Sequence, residues 1–251
     1  MTKLSGWVSL LCLGLAFSRS ACAGLEELQY LTEEYKPFNY TLPSGQAGGI
    51  AVELLQRIWL RTGTPAQPIR FLPWARGYLR LQQQPNTVLF STARTRNREP
   101  QFRWACPIAK TPIVLLGLRS RHLHLENLQQ LRAYHVMAVR SDVGEQVLRS
   151  QINAEVRLDT THAINLALRQ LKAGRIDLIS FNERVARQTW QEMGEQESDL
   201  QTVWDLGAQE FCYAFNPQTT PELIATFQHA LQQEIASPHY PALLQRYQLA
   251  P

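Results

Sequence analysis

Residues 68–90 read PIRFLPWARGYLRLQQQPNTVLF, and this stretch decides the fold class. Pro68 to Phe71 is a short extended run, and Pro73 to Gln83 has helical spacing with its proline at the first turn, where a missing N–H does no harm. Thr87 to Phe90 is again a β-branched and aromatic run. A strand, a helix and a strand in so few residues are the unit of an α/β protein.

Working outward, the same alternation covers the chain from Glu26. Leu28 to Leu31 reads as a strand, and Ile50 to Thr62 as a helix stopped by Gly63. Phe102 to Leu118 is extended. The alternation then starts afresh, with strands at His135 to Val139, Val156 to Leu158 and Asp177 to Phe181. Helices are expected at Gly144 to Ser150, at Thr160 to Ala173 with Gly174 as its stop, and from about Asn182. Leu200 to Trp204 and Phe211 to Phe215 read as two strands, followed by helices over Pro221 to Ala236 and up to Tyr247. No repeat, low-complexity run or polar linker interrupts this order. Two α/β cycles without a flexible linker imply two lobes sharing tight crossovers, near Cys106 to Ile113 and Gly207 to Tyr213, with a ligand cleft between them.

The first residues read as an address. Lys3 supplies the positive start, Trp7 to Phe17 the apolar stretch, and Ala21-Cys22-Ala23 a small-x-small cleavage site before Gly24. Residues 1–23 are therefore expected to be a signal peptide and the destination the periplasm. A lipid anchor on Cys22 is the competing reading, which Arg19 disfavours because it stands where a lipobox has an aliphatic residue. Cleavage removes Lys3 and Arg19 and no acid, taking the formal net charge from +4 to +2. That balance excludes a nucleic-acid-binding surface. Of the four cysteines, Cys106 and Cys212 survive cleavage. An oxidising compartment permits a disulfide between them if they are neighbours, and two separate buried thiols are the alternative.

The strongest compositional signal lies between Arg70 and Arg103. Arg70, Arg76, Arg80, Arg94, Arg96, Arg98 and Arg103 stand there against the single acid Glu99. A guanidinium is a fixed, forked cation that matches a carboxylate bidentately. Any one of these arginines is more often simply solvated. Arg94 and Arg98 stand out because they follow a strand directly, after Ser91 and Thr92, and loops at the carboxyl ends of strands are where open α/β sheets bind ligands. Trp74 begins a helix after a strand and either walls the cleft or packs helix on sheet. His122 and His124 lack further ligands at metal spacing, so neither a metal nor a cofactor is expected. Asn39-Tyr40-Thr41 matches a glycosylation sequon but carries no weight behind a bacterial signal peptide.

Several segments resemble the family 3 extracellular solute-binding proteins, the periplasmic receptors of polar amino acid ABC transporters. They are Leu31 to Tyr40, Gly49 to Leu55, Phe71 to Arg76, Phe90 to Glu99, Ala173 to Asp177 and Leu244 to Tyr247, in order along nearly the whole mature chain. The resemblance implies a type II periplasmic binding protein: one lobe formed by 24–112 and 209–251, the other by 113–208. It assigns the ligand's α-carboxylate to Arg98, with Tyr35 lining the pocket. It also implies backbone N–H groups offered by Ser141 to Val143 at the start of a helix, and a polar contact to the ligand's amino group from Asn182.

Thr32, Ala93 and Asn182 depart from the residues frequent in amino acid receptors. With Arg94 and Arg76 nearby, these departures turn the expectation from a cationic amino acid toward an acidic amino acid or dicarboxylate. The alternative is that one arginine pairs with Glu33 or Glu34. The expected function is a monomeric receptor that binds a small carboxylate without chemistry, serving an ABC permease. Two alternatives remain: a dehydratase on the same scaffold, with Glu33 or Glu34 as its acid, or a ligand-sensing subunit for a membrane partner.

Overall fold

The computed structural model describes residues 24–152 and 155–249. The expected signal peptide, with Cys12 and Cys22, lies outside the described residues.

The described residues fold into ten strands and seven α-helices. In order they are β1 (Gln29–Thr32), β2 (Tyr40–Thr41), β3 (Ala47–Gly48), α1 (Ile50–Thr62), β4 (Ile69–Phe71), α2 (Trp74–Gln83), β5 (Thr87–Ala93) and β6 (Arg103–Leu118). There follow β7 (His135–Val139), α3 (Val143–Gln151), β8 (Arg157–Thr161), α4 (Ile164–Lys172), β9 (Leu178–Asn182), α5 (Glu183–Glu192), β10 (Leu200–Phe215), α6 (Pro221–Ile235) and α7 (His239–Arg246). Eight strands form one sheet in the order β4-β1-β5-β10-β6-β9-β7-β8, while β2 and β3 pair separately.

Within that sheet, β4-β1-β5 and β9-β7-β8 are each parallel. Between them β6 and β10 run antiparallel to each other for 16 residues apiece. At that length each strand spans roughly 50 Å, enough to belong to both parallel units. The first unit holds β10 through Phe211 to Phe215, and the second holds β6 through Ile113 to Leu116. Two lobes joined by two crossovers are therefore built from one twisted sheet. The register of β10 against β6 shifts at Thr202/Trp204, at Asp205/Ala208 and at Phe211/Tyr213, the last two overlapping the expected crossover over Gly207 to Tyr213.

The C-terminal helices return to the first unit. Glu234 of α6, 1% exposed, is held by Arg57 and Arg61 of α1. Arg246 of α7 reaches Glu53 at 2.8 Å. A buried carboxylate is tolerated only when its charge is met, so this pair of arginines fixes α6 against α1.

In three places an element differs from expectation by more than one residue. β10 is one strand, not two, because Asp205 to Ala208 stays extended as a bulge beside β6. β8 runs on to Thr161 through its pairing with Val139, so α4 starts at Ile164; β-branched threonines on a pleated edge favour the strand. β5 extends to Ala93 opposite Phe211, which puts Ser91 and Thr92 in the strand and not in the loop beyond it.

Candidate functional site

The carboxyl ends of both parallel units face each other across a cavity of about 560 Å³. Glu33, Tyr35 and Lys36 come from the loop after β1, Phe71 from the end of β4 and Trp74 from the start of α2. The opposite wall is Asp142 at the start of α3, His162 before α4, Phe181 near the end of β9 and Glu192 at the end of α5. A site at strand carboxyl ends, with aromatic walls and convergent polar groups, has the anatomy of a small-molecule site.

Arg98 ties the two walls together. Its side chain is 1% exposed, and its guanidinium carbon lies 5.0 Å from the Trp74 ring and 5.3 Å from the Tyr78 ring. Nη1 donates to the Ala93 carbonyl at 3.3 Å and Nη2 to the Ser141 carbonyl of the opposite lobe at 2.8 Å. Trp74 Nε1 donates to that same oxygen at 2.8 Å. Burial lowers the Arg98 pKa, and the nearby Asp142 charge opposes that drop.

The cavity itself is acidic. Asp142 is 4% exposed with its Oδ1 unpartnered, and burial pushes it up to about 6 against the opposing pull of Arg98 and of the Gly144 and Val143 N–H groups. Those amides favour the ionised form without closing a well-aligned cap bond. Burial and the Asp142 charge together hold the Glu33 carboxyl well above the usual range, with Arg98 opposing. Lys36 pairs with Glu192 across the cleft at 2.6 Å. Glu34 accepts from Thr41 through both its backbone N–H, at 3.1 Å, and its hydroxyl, at 2.5 Å. The Tyr35 ring packs on Phe38, Phe181 and Phe211, and its buried hydroxyl has no partner.

Of the residues singled out in the sequence, Tyr35 and Trp74 line the cavity. Ser141 and Val143 are not among the lining residues. The Ser141 N–H goes to Glu145 Oε2 at 2.7 Å and the Asp142 N–H to the Val139 carbonyl at 3.1 Å. With Ser141 at φ 61° its carbonyl turns toward Arg98, so the turn presents an acceptor where N–H groups were expected. Val143 is 2% exposed and sits in the core.

The others are placed elsewhere. Asn182 caps α5, accepting from the Val185 N–H at 3.0 Å and donating to Thr111 Oγ1 at 3.0 Å. Ser91 donates to Asn39 Oδ1, and Thr92 to the Leu89 carbonyl at 2.9 Å. Arg94 is paired with Glu99, its Nη2 to Oε1 at 2.6 Å, beside Cys106 and away from the cavity. Neither Glu33 nor Glu34 takes an arginine. Arg76 is exposed because Trp74, Gly77 and Leu81 are the buried face of α2. The arginine cluster thus contributes Arg98 alone, and the anion-rich ligand expected from Arg94 and Arg76 loses its basis. In the sequence Glu33 reads as a catalytic acid or as a partner for an arginine, and Asp142 as part of a helix-starting turn.

Cys106 and Cys212 face each other across β6 and β10 and are joined in a disulfide, Cα to Cα 4.7 Å. Together with Glu210 they make the one cysteine, histidine and carboxylate grouping close enough for a metal among the described residues, and their sulfurs are bonded to each other. No helix among the described residues is long and apolar enough to cross a membrane.

The family described as bacterial extracellular solute-binding proteins, family 3, matches residues 29–250. No curated protein matches the sequence. Among solved structures, a histidine kinase sensor domain with similarity to periplasmic binding proteins is 22% identical with a TM-score of 0.78, covering 89% of this chain and 98% of its own. The arginine-, lysine-, histidine-binding protein ArtJ of Geobacillus stearothermophilus is 17% identical with a TM-score of 0.75, covering 88% and 94%. An ancestral amino acid-binding protein, a precursor of cyclohexadienyl dehydratase, is 17% identical with a TM-score of 0.73, also covering 88% and 94%. At these identities the likeness is one of fold.

Proposed function

The chain belongs to the bacterial extracellular solute-binding proteins of family 3, and from that membership we propose that it captures an amino acid, or a small molecule derived from one, between its two lobes. The single observation that carries this reading is the cavity enclosed by both lobes at their strand carboxyl ends.

Capture works by closure. Arg98 and Trp74 on the Ser141 carbonyl, Lys36 on Glu192, and Tyr35 on Phe181 are contacts between lobes. A ligand touching both walls adds to them only in the closed form and shifts the hinge equilibrium toward it. The lobes are taken as 24–112 with 209–251, and 113–208, following export on residues 1–23 to the periplasm. An ABC permease is the natural reader of the closed form, and a membrane sensor would read it equally well.

A second reading, a dehydratase-type enzyme, is favoured by Glu33. A carboxyl held well above its usual range keeps its proton to higher pH than a free one, which is the shift a general acid needs. Product formation from arogenate or prephenate would establish it, and none is expected. The receptor reading is tested by calorimetric titration with amino acids, amines and dicarboxylates. Saturable binding of one class is expected, and no binding by any of them contradicts it.

A further inference from the structure

We propose that the solute recognised by this cleft is an organic amine without a carboxylate, its ammonium held by Asp142 and Glu33. The proposal rests on the cavity being the ligand site and names the class of its occupant.

Most of the groups that would receive a carboxylate are already engaged by the protein. Both terminal nitrogens of Arg98 donate to backbone carbonyls and its faces lie against Trp74 and Tyr78, which leaves its buried Nε as the nitrogen without a partner. The N–H groups of Ser141 and Asp142 are closed by Glu145 and Val139. What stands at the start of α3, facing Arg98, is the chain's own carboxylate on Asp142. A carboxylate-bearing ligand would have to displace the Ser141 carbonyl from Arg98 and then lie against Asp142, at a cost of like-charge repulsion in a desolvated space.

For a cation the same surface is complementary. Asp142 lines the cavity, is more than nine-tenths buried, and its Oδ1 has no hydrogen-bond partner. The Tyr35 hydroxyl, buried and unpartnered, is a further acceptor in the same wall. Glu33 carries no hydrogen bond on its carboxyl, and a bound ammonium would supply the counter-charge that its surroundings withhold. Lys36, the lysine of the lining, is already tied to Glu192. Phe71, Tyr40 and Phe181 offer apolar walls and ring faces, which suit the carbon body of an amine and stabilise its charge.

The test compares molecules that differ only in the carboxylate: L-lysine with 1,5-diaminopentane, L-arginine with agmatine, and L-phenylalanine with 2-phenylethylamine, with succinate and L-glutamate alongside. Dissociation constants are measured by calorimetry on the purified protein and on its Asp142→Asn and Glu33→Gln variants. At least one amine is expected to bind tenfold or more tightly than its amino acid partner, and either variant to weaken that amine at least tenfold while its circular dichroism stays native. If one variant fails to fold, the other decides. Tighter binding of the amino acid in every pair, or binding of succinate or glutamate alone, overturns the proposal and leaves the receptor reading intact. Binding of nothing in the panel overturns both.

Discussion

Arg98 Nη2 donates to the carbonyl oxygen of Ser141, 2.8 Å away on the opposite lobe, and Trp74 Nε1 donates to the same oxygen. One backbone acceptor thus closes the cleft from the far side, and it does so because Ser141 adopts a positive φ that turns its carbonyl inward.

Replacing Arg98 by alanine removes this latch and leaves Asp142 buried without its nearby cation. The cost of orphaning a buried charge is about 3 kcal/mol of unfolding free energy, measured by urea denaturation at pH 7. Arg98→Lys should recover only part of it, since an ammonium cannot reach both carbonyls in the plane of a guanidinium. A variant as stable as the parent would contradict the placement of Arg98 between the lobes.

Asp142 also sets a pH dependence. Its pKa is raised from 3.8 to about 6 on folding, so the folded state binds more protons than the unfolded chain between those values. Stability from this group is complete below about pH 3.8 and is lost as pH rises through about 6, to an extent of about 3 kcal/mol. Glu33 is raised too and acts in the same direction. The Tm of ligand-free protein should fall between pH 4.5 and pH 7, and Asp142→Asn should flatten that slope. An unchanged slope in the variant would place the titration elsewhere.

The disulfide spans a sequence separation of 106 residues between the two long strands. Closing so long a loop constrains the unfolded chain, and its loss is expected to cost about 2–4 kcal/mol. The Cys106→Ser, Cys212→Ser double variant should melt lower than the parent yet bind ligand equally well, because neither sulfur meets the cavity. Equal melting temperatures with and without reductant would show that the bridge adds nothing.

Gly144 of α3 lies directly against the backbone of β9. A Cβ there would stand 2.3 Å from the Ser180 carbonyl oxygen, a backbone atom that cannot step aside. Gly144→Ala should therefore push α3, and Asp142 with it, out of place, costing about 2 kcal/mol or more and weakening ligand binding. Gly174→Ala, with nothing within 4 Å but a positive φ, should destabilise only mildly and leave binding alone. Calorimetry on both variants separates the two effects.

Much of the fold was legible. The helix over Ile50 to Thr62 and the strand over His135 to Val139 match end to end, because helical spacing and a β-branched run were unambiguous there. β10 was not legible as one strand, since Asp205 and Gly207 look like a turn and only pairing with β6 keeps them extended. In the site, Tyr35 and Arg98 were singled out by resemblance and Trp74 by its place at a helix start after a strand, while the seven-arginine window pointed to more arginines than line the cavity. Which arginine faces a cleft depends on helix phase and strand register, and those send Arg76 to solvent and Arg94 to Glu99. Asp142 looked like an ordinary helix start; its meaning comes from Arg98, far away in sequence and close only after folding.

The most direct test of the account is to block the cleft. Ala163 lines the cavity at the start of α4, and a tryptophan there would fill it while leaving both lobes their cores. Thermal-shift measurements on the parent protein and on Ala163→Trp, across amino acids, amines and dicarboxylates, should show at least one solute raising the Tm of the parent and none raising that of the variant. A solute that raises both equally would bind outside the cleft, and that result would contradict capture between the lobes.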